Sequence, residues 1–177
     1  MKIGKTKVDI FSGALSKTGA QALIVPANDM LWFGGGLTGD IRNAGGREIE
    51  NEAMKHAPAE IGSAIVTGAG TLDAKCIIHA IIGGQDLSTD EKSIRRAVLA
   101  ALKLAEERKC ESVAVPLLDS GHFDVEIHIA ARIIVDETVE YLLSSHSELT
   151  HVILVEHDAT TKGMLEGALL DKFTKHG

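Results

Sequence analysis

Short runs of apolar, often β-branched residues alternate along this chain with longer segments in which apolar residues return every three or four positions. The short runs are Val8 to Phe11, Ala22 to Val25, Ala64 to Thr67, Cys76 to Ile82, Ser112 to Val115 and Val152 to Val155. Most are nearly continuous in apolar side chains, which predicts strands covered on both faces. Between Asp90 and Lys109 the period is helical. Ile94, Val98, Ala101, Leu102 and Ala105 share one face, Lys92, Arg95, Arg96, Lys103 and Glu107 the other, and Asp90 stands where a cap belongs. A second helix is predicted over Glu126 to Leu143, and a last one after Asp158, its expected cap, as far as Phe173. Another should start near Thr38, although Gly45 and Gly46 interrupt it, at about 1 kcal/mol each relative to alanine. Strands alternating with helices in one chain imply the α/β class, arranged as a three-layer α/β/α sandwich.

Composition narrows the picture without changing it. With 177 residues, 45% of them hydrophobic, and no repeat or linker, the chain reads as one domain spanning residues 1–177. A formal net charge of −7 lacks the basic surplus that sequence-independent binding to nucleic acid needs. Cys76 and Cys110 have no cysteine or histidine at metal-ligand spacing and read as free thiols. The first residues hold no signal-peptide apolar stretch, and no window approaches the ~18 apolar residues of a membrane span. The expectation is a soluble, cytoplasmic protein with no membrane partner, no metal and no cofactor.

The candidate chemistry lies in two loops. Pro26 to Gly39 reads PANDMLWFGGGLTG, with Gly34, Gly35 and Gly36 consecutive between a strand and a helix. Glycines there let the backbone approach a ligand closely, so that N–H groups converge on an anion beside a helix N-terminus. Pro116 to Val125, PLLDSGHFDV, leaves another strand, carries a central glycine and enters another helix. In open α/β sheets ligands bind beyond the carboxyl ends of the strands, where both loops belong, and two such loops side by side would hold a diphosphate. The alternative, which this pairing of loops disfavours, is that the glycines only make tight turns. The segment Gly34 to Gly39 also fits G-x-G-x-x-G, but Ala27 to Phe33 separate it from the strand and the next strand ends in Thr67-Gly68 without an acidic residue. A nicotinamide enzyme is therefore a weak competitor. Asp119, His122, Asp124, Glu126 and His128 are ligand types for a metal, but their spacing over a loop and a helix start scatters the side chains, and solvated charge explains them. His79, inside CIIHAII, reads as a core histidine. Trp32 and Phe33 either wall a cleft or pack in the core.

Taken in order, Ala22 to Asn28 (ALIVPAN), GGGLTGDI, Arg42 to Gly46 (RNAGG), Gly62 to Gly68 (GSAIVTG), Ile77 to Ala80 (IIHA) and PLLDSGHF resemble the macro domain over almost the whole chain. The resemblance implies a mixed, roughly six-stranded central sheet and a cleft for ADP-ribose or a related nucleotide diphosphate. By that resemblance Gly34, Gly35, Gly36 and Leu37 form the first diphosphate loop and Ser120, Gly121, His122 and Phe123 the second, with Asp124 after it. Asn28 matches the asparagine whose amide contacts the distal ribose, a role that donors and acceptors together suit; a loop asparagine capping its own backbone is the alternative. Leu15 and His157 fall at the base-binding end, His157 roughly where an aromatic residue often packs on adenine.

Departures from the family pattern bear on activity. Gly13-Ala14-Leu15-Ser16 carries alanine where the family has its adenine-contacting aspartate, and Val25 and Pro26 stand for the first two residues of N-A-A-N. Thr38 occupies the place of the aspartate of hydrolytic members and cannot act as a carboxylate base. Asp124 replaces a glycine, and a carboxylate turned towards a diphosphate would repel it. Three readings follow: binding of ADP-ribose or a related diphosphate, including ADP-ribosylated protein as partner; hydrolysis of ADP-ribosyl or O-acetyl-ADP-ribose esters, with Asn28 as the catalytic candidate; and an interaction module whose pocket has drifted from ADP-ribose.

Overall fold

The computed structural model describes residues 1–118, 123–144 and 146–174. Seven strands form one sheet: β1 (Lys2–Ile3), β2 (Thr6–Ser12), β3 (Ala22–Asn28), β4 (Ala64–Thr67), β5 (Cys76–Gly83), β6 (Ser112–Pro116) and β7 (His151–Glu156). Five helices accompany them, α1 (Gly36–Gly45), α2 (Glu48–Met54), α3 (Glu91–Glu107), α4 (Ile127–Ser144) and α5 (Ala159–Thr174), with a 3-10 turn at Leu15–Lys17. The sheet order is β1-β2-β7-β6-β3-β5-β4. The five inner strands are parallel, and β1 and β4 close the edges antiparallel. The α/β/α sandwich expected from the pattern is therefore present, as is the mixed sheet that the resemblance implies, with one strand more than roughly six. The extra strand is the Lys2–Ile3 pair, too short to carry a period.

Two apolar layers cover the sheet. On one face α3, α4 and α5 pack around Ile24, Ile78, Ile94, Leu102 and Ile134; on the other α1 and the 3-10 turn pack around Leu15, Leu23, Val25, Ile41 and Ile77. Every residue of β3 and of β5 is buried, which explains why those runs are unbroken in the sequence. Asp90 caps α3 by accepting from the Ser93 N–H at 2.8 Å, and Asp158 caps α5 by accepting from the Thr161 N–H at 2.8 Å, as the sequence predicts. The helix expected near Thr38 starts two residues earlier and stops at Gly46, whose φ of 102° no L-residue adopts comfortably; the chain resumes as α2.

The topology opens a crevice at one place. β3 and β6 pair only at Ala22↔Val113 and Leu23↔Ala114, so they part company towards their carboxyl ends. The helix that follows β3 packs on one face of the sheet and the helix that follows β6 on the other. That is a topological switch point, where open α/β sheets take ligands.

Candidate functional site

The glycine loop lies at this switch point. Gly35 precedes α1 in extended conformation with no side-chain cap, so the first N–H groups of the helix have no side-chain acceptor. Gly36 has φ 55°, a left-handed conformation that glycine takes without strain as the chain turns into the helix. An uncapped helix N-terminus of this kind carries a partial positive charge and attracts anions. The Thr38 hydroxyl donates to the Gly35 carbonyl at 2.9 Å, holding the turn closed. The loop is also held from behind. Glu50 of α2 accepts a hydrogen bond from the Phe33 N–H through one carboxylate oxygen, while its other oxygen lies 3.4 Å from the Arg42 guanidinium.

The loop separates two cavities. The larger, of about 400 Å³, has Gly36 and Leu37 on one side and Pro116, Val155, Glu156 and His157 on the other. The smaller, of about 30 Å³, lies beyond the end of β3 among Pro26, Asn28, Trp32, Gly34, Thr38 and Phe123. That is room for about one water molecule. Leu87 closes the smaller cavity beside Phe123, and the Asp124 N–H donates to the Leu87 carbonyl at 3.1 Å.

Of the predicted site residues, Gly34, Gly36, Leu37, Asn28, Phe123 and His157 border these two cavities, with Gly35 between them as the cap of α1. Leu15 is buried in the core beneath the 3-10 turn with Leu23 and Val25. Asp124 is exposed and borders neither cavity. Ser120, Gly121 and His122 lie outside the described residues, as does Asp119 of the acidic cluster; Glu126 and His128 pair with each other at 3.3 Å. His157 is exposed and sits 3.4 Å from Asp158.

Asn28 takes the loop-capping geometry. Its amide nitrogen donates to the Trp32 carbonyl at 3.0 Å and its carbonyl accepts from the Met30 N–H at 3.1 Å. One N–H and one lone pair of the carboxamide remain for a ligand. The two aromatic neighbours divide their roles: Phe33 is buried, 5.9 Å from the His79 ring, while Trp32 is half-buried and walls the smaller cavity.

His79 is a core residue. Its Nε2 lies 2.9 Å from the Thr67 hydroxyl, which is also 3.0 Å from the Gly68 carbonyl and has one proton to share between the two acceptors. Nδ1 has no partner among the described residues. Burial, with a smaller contribution from His56, pushes the imidazole down to about 3, so it stays neutral.

Sequence reasoning missed three contributors: Glu50 behind the loop, Leu87 over the small cavity, and Glu156 in the wall of the large one. Glu156 left a signal, being a charged residue that ends an apolar strand. Among the described residues, no group of three acidic, histidine or cysteine side chains could hold a metal ion, and no helix is long and apolar enough to cross a membrane.

A sheet split at β3 and β6, with a glycine loop opening α1 in the split, defines a nucleotide-cleft α/β protein. Residues 24–134 match the Macro domain family, and the chain belongs to it. It is 35% identical over 152 residues to an uncharacterized protein of Aquifex aeolicus, covering 85% of this chain and 90% of that one. It is 30% identical over 159 residues to O-acetyl-ADP-ribose deacetylase 1 of Pantoea vagans, covering 86% and 92%. A solved Oceanobacillus iheyensis macrodomain with ADP superposes with a TM-score of 0.86 at 24% identity, over 99% of this chain and 96% of that one.

Proposed function

We propose that this protein binds ADP-ribose or a related nucleoside diphosphate in the cleft divided by the Gly34–Leu37 loop. The observation that carries the reading is the uncapped N-terminus of α1 opening beside a cavity of about 400 Å³. The diphosphate would lie on the loop N–H groups and the nucleoside in the larger cavity, and anything attached to the distal phosphate would turn towards Asn28 and Trp32. The ADP held by the Oceanobacillus iheyensis protein supports a ligand of this class. An ADP-ribosyl group on a protein presents the same chemistry and is included among the partners. We place the protein in the cytoplasm, a location that its two free cysteines suit.

Calorimetric titration with ADP-ribose, ADP, AMP and NAD tests the reading. ADP and ADP-ribose should bind more tightly than AMP, which lacks the second phosphate that the loop would hold. Absence of binding by all four at millimolar concentration would leave the drifted interaction module as the better account.

A second reading, hydrolysis of O-acetyl-ADP-ribose or ADP-ribosyl esters, draws on the similarity to the Pantoea vagans deacetylase. In it a water polarised by the bound diphosphate, oriented by the remaining N–H of Asn28, would attack the ester. Thr38 is committed to Gly35 and supplies no carboxylate, so the reading requires a reaction without a side-chain base in the loop. Release of acetate from O-acetyl-ADP-ribose that is lost in Asn28→Ala would support it; intact substrate after prolonged incubation would exclude it.

A further inference from the structure

Glu156 ends β7, where it is 2% exposed and lines the larger cavity across from the glycine loop. A carboxylate only accepts hydrogen bonds. One of its oxygens, Oε1, accepts from the Ser12 hydroxyl of the neighbouring strand, while Oε2 has no partner among the described residues. Its backbone is fixed, because the Gly13 N–H donates to the Glu156 carbonyl at 3.0 Å. A buried acceptor without a donor is costly, and more so when it is charged. The residue borders the cavity, and Oε2 itself is closed off from solvent.

We propose that Glu156 reads the ring system of the ligand, accepting an N–H from an amino group on the base that fills the larger cavity. The inference rests on the nucleoside-diphosphate reading and adds what selects the base. Leu37, Pro116, Leu117, Ile127 and Val155 give the cavity apolar walls suited to a flat ring. Glu156 places an acceptor at the edge of that ring. The terminal torsion of a glutamate is broad; a turn that brings Oε2 to the cavity moves Oε1 with it, and the Ser12 hydroxyl follows by rotating about its own Cβ–Oγ bond. Neither Gly13 nor Ala14, which follow β2 at the same end of the sheet, supplies a polar side chain there. The arrangement also orients the ligand. Phosphate oxygens are drawn to the uncapped helix, while an amino edge meets two carboxylates of the cavity wall, the buried Glu156 and the exposed Asp40 of α1, of which the solvated one contributes less.

The test compares ADP with purine riboside diphosphate, in which hydrogen replaces the amino group, on the wild type, Glu156→Gln and Glu156→Ala. The wild type should bind ADP at least about tenfold more tightly than the analogue, a charged hydrogen bond contributing that much or more. Both variants should bring the ratio within about threefold, by losing affinity for ADP rather than gaining it for the analogue. Glu156→Gln should melt no lower than the wild type without ligand, because it keeps an acceptor for Ser12 at nearly the same side-chain volume. Equal binding of the two nucleotides by the wild type, or an ADP preference retained in both variants, overturns the role of Glu156 and leaves the diphosphate reading intact. Failure of both nucleotides to bind the wild type at millimolar concentration overturns the diphosphate reading and this inference with it.

Discussion

Asn28 shows how one side chain can carry a family's signature while serving the fold. Its carboxamide bridges Met30 N–H and Trp32 O, and so shapes the five residues that lead into the glycines. Removing it leaves a buried donor and acceptor unpaired where water has little access. Asn28→Ala should therefore lose roughly 2 kcal/mol of stability, two hydrogen bonds at about 1 kcal/mol each. At ~2–4 °C per kcal/mol for a chain of this size the unliganded melting temperature should fall by about 4–8 °C. Thermal unfolding followed by circular dichroism measures this. An unchanged melting temperature with weakened ADP binding would instead put Asn28 on the ligand and off the loop. Either role was visible in the sequence as residue type, but choosing between them needs the Trp32 carbonyl in place.

At the scale of elements, the helices that matter most to the site are the two that an interruption divides. Gly46 was readable as a break, and the aspartates at positions 90 and 158 as caps, because each acts within three residues of itself. The unbroken apolar runs of β3 and β5 were readable because both faces are covered. What could not be read is set by partners far along the chain. Glu50 meets the Phe33 N–H across 17 residues, and Glu156 meets Ser12 across 144. A carboxylate in a sequence reads as solvated surface, and only tertiary contact shows that α2 braces the glycine loop. That bracing predicts a graded effect. Glu50→Ala removes both the acceptor for Phe33 and the Arg42 pair, and should weaken ADP binding by about tenfold, while Glu50→Gln keeps an acceptor and should cost less than about threefold. Titration calorimetry on the two variants separates them, and equal affinities in both would mean that the loop keeps its shape without α2.

For the whole molecule, the same core that holds the loop sets its behaviour in acid. His79 sits in the sheet beneath Phe33, neutral, and Nδ1 has no partner among the described residues. In the unfolded chain a histidine takes up a proton near its ordinary value of 6.5, but in the folded protein burial delays this to about 3. Between those limits the unfolded state binds one proton more, so stability falls as pH falls through the window. The slope from His79 alone is about 1.4 kcal/mol per pH unit. The exposed aspartates with lowered values, Asp86, Asp90 and Asp158, contribute stability that is lost only as pH falls below 3.8, through their folded values. The interval from about pH 6 to pH 4 is therefore where the histidine acts apart from them. His79→Asn keeps an amide near Thr67 and does not titrate. Urea unfolding at half-unit steps of pH should show a shallower decline for His79→Asn than for the wild type across that interval, even if the variant is less stable at neutral pH. Parallel curves would mean that the imidazole takes its proton in the folded state as readily as in the unfolded one, and that acid reaches the core under the glycine loop without unfolding it.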